Sequence, residues 1–321
     1  MATVTGQKTR SFHHEAAFYN DPEEFLAATV PFLEAGLERN EPMLVAVNRE
    51  KINALTGELN GEAERVRFVD MERIGRNPAR IIPVWRDFVQ ENCALDKPAR
   101  GIGEPVWPGR TEAELVECGH HETLLNLAFA DAPGWSLLCP YDASALSGEV
   151  IEAARSHHPH LGENGEHTES PSYLPPDDAP DTLAGELPPP SNQPRELAFI
   201  GSASLRLLRT FIGECADGFD LSEQRKVDLV LAVNEAATNS VRHAGGHGRI
   251  KVWAEDDDLV CDVVDEGRID EPLVGRRRPT ADEPAGRGLW LTNQLCDLVQ
   301  IRSGAEGTTV RLHMYADVEP I

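Results

Sequence analysis

Between Leu161 and Pro194 lie eight prolines and seven acidic residues, with no lysine or arginine. No other feature limits the fold as strongly. A segment of that composition cannot bury enough apolar surface to offset the entropy of ordering it, so 161–194 reads as an extended, disordered linker. It separates two folding units, residues 11–160 and 195–317, and a chain of 321 residues is long enough for each to bury its own core. Acidic residues outnumber basic ones 54 to 30, for a formal charge of -24. That field repels nucleic-acid phosphates and an anionic membrane surface alike, and the compact basic run Arg276-Arg277-Arg278 is too short to reverse it. No apolar stretch approaches the roughly 18 to 20 residues needed to span a bilayer, and the polar start lacks the apolar middle of a signal peptide. A cytoplasmic protein is expected. The six cysteines, Cys93, Cys118, Cys139, Cys215, Cys261 and Cys296, form no C-x-x-C unit and mostly sit in apolar segments, which predicts reduced, buried thiols.

In the N-terminal unit the apolar runs 42–48, 65–70, 100–107 and 135–141 read as buried strands. Helical patterns near 50–60, 78–93 and 112–130 alternate with them. This order predicts an α/β fold with a mostly parallel sheet. The C-terminal unit differs. Strands are expected near 195–201, 249–255, 258–265, 298–302 and 308–315, and helices near 203–216, 221–244 and 288–296. Helices grouped before hairpin-forming strands predict an α+β sandwich, one helical layer on a mixed sheet.

The helix DLVLAVNEAATNSVRHA carries the most informative pattern. Val227, Leu231, Glu235, Asn239 and His243 recur at four-residue steps and form one stripe, apolar at its start and polar beyond. Such a stripe either lines a cavity at its polar end or emerges into solvent. Three further features follow in order. Asp265 and Gly267 end a strand, where a carboxylate can face a cleft and glycine admits close backbone approach. Gly286-Arg287-Gly288 precedes a helix, placing backbone amides at a helix N-terminus, which suits phosphate. Gly307-Thr308-Thr309 opens the last strand.

Together these four features resemble the N, G1, G2 and terminal Gly-Thr boxes of the GHKL ATPases, over about residues 195–315. NEAATNSVRHA is similar to the anti-sigma serine kinase branch of that family. The resemblance implies a two-layer GHKL (Bergerat) domain binding ATP and Mg²⁺. Glu235 matches the general base and Asn239 the Mg²⁺ ligand, an oxygen donor suited to a hard cation. Asp265 matches the acceptor of the adenine amino group, with Gly267 beside it and Thr308 or Thr309 near the same base. Gly286, Arg287, Gly288 and Leu289 match the phosphate loop, and 268–285 the lid. The first box departs from many relatives, with Ile269 in place of its second glycine. No upstream stretch resembles a hairpin bearing a phosphoacceptor histidine, which disfavours a histidine kinase mechanism and leaves His243 a structural role.

The N-terminal unit has no Walker-type phosphate loop. Its segments FHHEAAFYNDPEEFLAATVPFLEAGLERNEPMLVAV, GRNPARIIPVW, RGIGEPVWPGR and NLAFADAPGWSLLCPYD are similar to the MEDS sensory domain, over about residues 11–160. Joined to a GHKL domain, this is the architecture of the RsbA-like anti-sigma regulators. Cys118, His120 and His121 raise a metal hypothesis with His13 or His14, against which stands the lack of any H-x₃-H or C-x-x-C unit. His157, His158 and His160 border the linker and are expected in solvent. Trp85, Trp107 and Trp135 fit either a small-molecule pocket or a core, and core is the commoner fate of such residues. For an unidentified small-molecule or protein signal, Glu104, Trp107, Arg110, Glu117 and His121 are the candidates.

The resemblance thus implies an anti-sigma regulator that binds Mg-ATP and sequesters a sigma factor or phosphorylates a serine or threonine of an antagonist protein. A homodimer through the sheet is what relatives imply. The competing function is a non-catalytic module whose protein-binding surface ATP organises; a sensor histidine kinase-like protein is the third.

Overall fold

A computed structural model describes residues 12–93, 98–132, 134–163, 165–178, 181–280 and 286–316. They fall into two compact units, one of Met1–Gly75 and Val84–Ala179, the other of Arg76–Pro83 and Pro180–Ile321.

The first unit runs β1 (His13–Tyr19), α1 (Pro22–Glu38), β2 (Met43–Val47), α2 (Arg49–Glu58), β3 (Val66–Asp70), α3 (Met71–Ile74), α4 (Ile81–Cys93, which belongs to this unit from Val84 onward), β4 (Ala99–Gly103), α5 (Glu112–Ala128), β5 (Trp135–Asp142), α6 (Gly148–His157), β6 (His160–Glu163) and β7 (Glu166–Glu169). The strands form one seven-stranded sheet in the order β3-β2-β4-β5-β1-β6-β7. Every pairing is parallel except β6 with β7, so this is the expected mostly parallel α/β sheet. All five residues of β2 are buried, which is why it reads as an unbroken apolar run rather than an alternation. The glycines of β4 serve packing: a Cβ on Gly101 would stand 2.5 Å from the Trp135 ring, and one on Gly103 2.8 Å from Trp85. Trp85 and Trp135 are therefore core residues, 1% and 0% exposed, with ring centroids 5.7 Å apart.

Two strands occupy the start of the stretch that composition marks as linker. Residues of β6 pair with Glu15, Ala16 and Ala17 of β1, so the open edge of β1 orders a segment that has little apolar content of its own. Further along, Leu183 is 7% exposed and belongs to the core of the second unit.

That second unit contains β8 (Arg195–Ile200), α7 (Leu205–Asp217), α8 (Glu223–His243), β9 (His247–Glu255), β10 (Asp258–Asp265), α9 (Arg287–Leu295), β11 (Leu298–Gly304) and β12 (Gly307–Tyr315). Its five strands lie in the order β11-β12-β10-β9-β8. Each pairing is antiparallel, which corrects the expectation of a mixed sheet: hairpin turns join β9 to β10 and β11 to β12, and β8 closes antiparallel on β9. Leu208 and Ile212 of α7, Leu229, Val233 and Ala236 of α8, and Leu289 of α9 pack on Val252, Cys261, Val263, Val310 and Leu312 of the sheet. One helical layer thus covers one sheet face, the α+β arrangement expected of a GHKL domain.

Cys118, Cys139, Cys215, Cys261 and Cys296 are free and buried. Among the described residues no helix is long and apolar enough to cross a membrane.

Candidate functional site

Ser222 caps α8, its side chain accepting from the amide of Arg225, and one face of the helix then enters the core through Leu229, Ala232, Val233, Ala236, Ala237 and Ser240. The stripe from Val227 to His243 lies beside that face rather than on it. Val227 and Leu231 are 59% and 38% exposed, His243 is exposed, and Glu235 and Asn239 are half-buried. The apolar start of the stripe is the part that meets solvent, and its polar middle is the part that is covered.

The cover is the first turn of α9. A Cβ on Gly288 would lie 3.2 Å from Glu235 Oε2 and 3.1 Å from Asn239 Nδ2, so the bare backbone of this turn sits directly over both side chains. Thr292 Oγ1 lies between the two helices, 3.0 Å from the Gly288 carbonyl of α9 and 3.3 Å from the Ala232 carbonyl of α8. Gly286, the N-cap, has φ of 89°, a left-handed conformation that glycine adopts without strain. Among the described residues no side chain caps the first-turn amides, an arrangement that suits an anion.

Asp265 closes β10 directly opposite Thr308 of β12, and residues so paired share a sheet face. Its carboxylate accepts from Ser240 Oγ at 2.5 Å and from the Gly267 amide at 2.8 Å. Thr308 Oγ1 donates to the Gly267 carbonyl at 2.8 Å. Since that bond uses the Thr308 proton, Ser303 is the donor in the 2.8 Å Ser303–Thr308 pair, and Ser303 Oγ in turn accepts from the Ile269 amide. The D-x-G loop is therefore held from below by two hydroxyls. Ser240 and Ser303 escaped the sequence reading; Ser240 was visible only as the residue after Asn239.

The remaining candidates are placed differently. Thr309 pairs with Val264 and so faces the opposite side of the sheet from Asp265. Leu289 is 6% exposed within the core and anchors α9 by packing. Arg287 is exposed, with Nη2 donating to the Thr280 carbonyl. Within 268–285, the segment expected to be the lid, Leu273 is buried and the Gly275 carbonyl accepts from Asn293; residues 281–285 lie outside the described residues.

In the first unit, the candidate sensory residues are engaged locally. Glu104 accepts from Tyr19 Oη and Lys51 Nζ, each at 2.6 Å, and burial pushes its carboxyl up against the pull of Lys51. Arg110 donates to the Pro105 and Gly75 carbonyls and its guanidinium lies 3.5 Å from the Trp107 ring centroid. Glu117 lies 3.5 Å from His120, and His121 is buried. A cleft of about 1020 Å³ opens instead beside β1, lined by His13, Glu15, Arg100, Arg155 and His167 among others. Burial raises the Glu15 carboxyl, but hydrogen bonds from His13 and His167 outweigh it and hold the group below its ordinary range. The sequence hinted at this cleft only through the polar start of β1. Cys118, proposed with His120 and His121 as a metal ligand, has its thiol against the Pro105 carbonyl. His158, expected in solvent, is 0% exposed.

Residues 13–159 match the family model of the methanogen/methylotroph, DcmR sensory domain, MEDS, and residues 202–314 match the histidine kinase-like ATPase domain. Over 135 residues the chain is 28% identical to the anti-sigma F factor of Caldanaerobacter subterraneus subsp. tengcongensis, an alignment covering 39% of this chain and 94% of that protein. It is also 28% identical over 131 residues to the anti-sigma F factor of Thermoanaerobacter pseudethanolicus, covering 37% of this chain and 92% of that protein. Among solved structures, the RsbU and RsbW domains of a Mycobacterium tuberculosis protein align with 38% of the chain at 20% identity and a TM-score of 0.29, the chain spanning 32% of that protein.

Proposed function

We propose that this chain, a MEDS domain joined to a histidine kinase-like ATPase domain as in the RsbA-like anti-sigma regulators, binds Mg-ATP in its second unit. It uses that site to control a sigma factor, by phosphorylating a serine or threonine of an antagonist protein. The likeness to anti-sigma F factors supports the regulatory half of this reading. The observation that carries the nucleotide half is the convergence of Glu235, Asn239 and the uncapped first turn of α9, with Asp265 at the end of β10 held by Ser240 and Gly267.

The residues present fit the nucleotide and its cation. The absent side chain at Gly288 leaves room between the α9 amides and the two α8 side chains, where a Cβ would meet both. Asn239 supplies a carbonyl oxygen to Mg²⁺, a cation that takes few protein ligands and keeps phosphate and water as the rest. When bound, Mg²⁺ neutralises charge on the phosphates. The α9 amides orient the anion. Asp265, with both oxygens already accepting one bond each, keeps lone pairs for an amino group of the base. Glu235, four residues before Asn239 on the same helix face, is positioned to take the proton of an incoming hydroxyl.

Purified protein mixed with radiolabelled ATP, Mg²⁺ and a candidate antagonist tests the reading. Label on a serine or threonine of the antagonist is expected, falling at least about 100-fold in Glu235→Ala while nucleotide binding persists. Nucleotide binding with no transfer to any antagonist would replace the kinase by a module that ATP merely organises.

A further inference from the structure

We infer that His14 of β1, Glu122 of α5, Cys139 of β5 and His158, which follows α6, form a closed binding site for one divalent transition-metal ion of the zinc class within the first unit. His14 and His158 are 0% exposed, Glu122 and Cys139 1%, and one ligand atom from each lies within 4.8 Å of all the others.

Four of the six edges of this cluster lie near those of a coordination tetrahedron. Metal bonds of about 2.0 Å to nitrogen or oxygen and about 2.3 Å to sulfur set ligand atoms roughly 3.3 to 3.6 Å apart. Here His14 Nε2 lies 3.2 Å from Glu122 Oε2 and 3.4 Å from Cys139 Sγ. His158 Nε2 lies 3.4 Å from the same Glu122 oxygen, and Cys139 Sγ 3.9 Å from it.

The surrounding hydrogen bonds turn each lone pair inward. The Asn126 amide nitrogen donates to the carbonyls of Glu122 and His157, so its Oδ1 must face His14 Nδ1, 3.0 Å away. That nitrogen is the donor, and His14 Nε2 points into the cluster. His158 Nδ1 donates to the Ala154 carbonyl at 2.7 Å, and His158 Nε2 is a buried nitrogen with no hydrogen-bond partner among the described residues. Tyr141 donates to Glu122 Oε1 at 3.3 Å, leaving Oε2 to the centre. Fixing the far nitrogen of a ligating imidazole and the far oxygen of a ligating carboxylate is how proteins orient metal ligands.

Charge and donor type agree. A carboxylate and a thiolate with two neutral imidazoles balance a dipositive ion, so the filled site brings no net charge into the interior. On coordination the Cys139 thiol proton leaves to solvent and the sulfur–metal bond takes its place. Two nitrogens, one sulfur and one oxygen favour zinc, cobalt or iron over magnesium or calcium, which prefer all-oxygen shells. Four protein donors in a fully buried position leave no open vertex for a substrate, so the ion is structural, tying β1, α5, β5 and the end of α6 to one point.

The test uses the full-length chain, stripped of metal with a chelator and titrated with Co²⁺. One equivalent is expected to bind, giving a thiolate-to-cobalt charge-transfer band and the intense visible bands of a tetrahedral ion, both bleached by one equivalent of Zn²⁺. In Cys139→Ser the charge-transfer band is lost, and Glu122→Gln or His158→Gln weakens binding at least about tenfold. Should these variants fail to fold, X-ray absorption of zinc-loaded wild-type protein reads the shell directly: one sulfur and three nitrogen or oxygen neighbours. Binding of well under one equivalent, a charge-transfer band retained in folded Cys139→Ser, or a shell without sulfur would overturn the assignment.

Discussion

At Asp265 two donors already share one carboxylate, Ser240 Oγ on Oδ2 and the Gly267 amide on Oδ1. Each fixes one oxygen, so the group is oriented before any base arrives and loses little freedom on binding. Replacing the carboxylate by Asp265→Asn keeps an acceptor for one of these donors and turns the other oxygen into an NH₂, which faces the adenine amino group with another donor. A hydrogen bond to a charged group is worth about 1.5–3 kcal/mol, so ATP affinity is expected to fall on the order of 10- to 100-fold, read by calorimetric titration. Ser240→Ala removes only one of the two orienting bonds. A loss of about 1 kcal/mol, roughly fivefold in affinity, is expected. Equal losses in the two variants would mean that Ser240 itself touches the nucleotide; no loss in Asp265→Asn would remove Asp265 from the site.

Two glycines separate what an element needs to fold from what the site needs to bind. Gly307 begins β12 with φ of 117°, and a Cβ there would overlap the Asp265 carbonyl oxygen. Gly307→Ala therefore pays both in backbone strain and in displacement of the D-x-G loop, with an expected loss of about 2 kcal/mol or more in denaturant unfolding. Gly288 is different. It lies inside α9, where alanine is the better helix former, and the three atoms nearest its Cβ would be side-chain atoms of Glu235 and Asn239 at 3.1 to 3.3 Å. Gly288→Ala is expected to leave the free energy of unfolding within about 0.5 kcal/mol while weakening Mg-ATP binding, since the methyl group fills the gap between amides and ligands. A variant that unfolds more readily yet binds normally would show Gly288 to be a packing residue. Most elements of the second unit were legible from their apolar content: β9 alternates from Arg249 to Val252, β10 is an unbroken buried run from Leu259 to Val263, and α8 keeps its apolar face in step with the helix. The inner face of α8 was less so, because the four-residue stripe from Val227 drifts off the core side as the helix turns, and Leu229, Val233 and Ala236 carry the core instead. In the first unit β1 was missed altogether. Its opening His13-His14-Glu15 defeats any apolar pattern, although His14 and Glu15 are 0% and 4% exposed. Polar residues placed where a core strand should be apolar are the local violation that marks a site, but without the partners Glu122, Cys139 and His158, far off in sequence, one strand cannot reveal it.

At the scale of the whole chain, each unit closes its own apolar core: Phe25, Val45, Leu55 and Leu138 belong to one cluster and Ile212, Val233, Val263 and Leu312 to another. Two cores of this kind predict two calorimetric transitions rather than one. The ligand sites give a way to assign them, because a ligand stabilises only the cooperative unit that binds it. Mg-ATP at 100 times its dissociation constant adds about 2.7 kcal/mol to that unit, and for units of this size each kcal/mol moves the midpoint by roughly 2–4 °C. One transition is expected to rise by on the order of 5–10 °C with Mg-ATP and to ignore metal chelators. The other is expected to ignore nucleotide and to fall when zinc is withdrawn, since Glu122 and its three partners come from separate segments of the first unit. In Asp265→Asn the nucleotide response should shrink and the zinc response persist; in Cys139→Ser the reverse. A single transition moved by both ligands would mean that the chain unfolds as one cooperative body, so that occupancy of either site alters the stability on which the other depends.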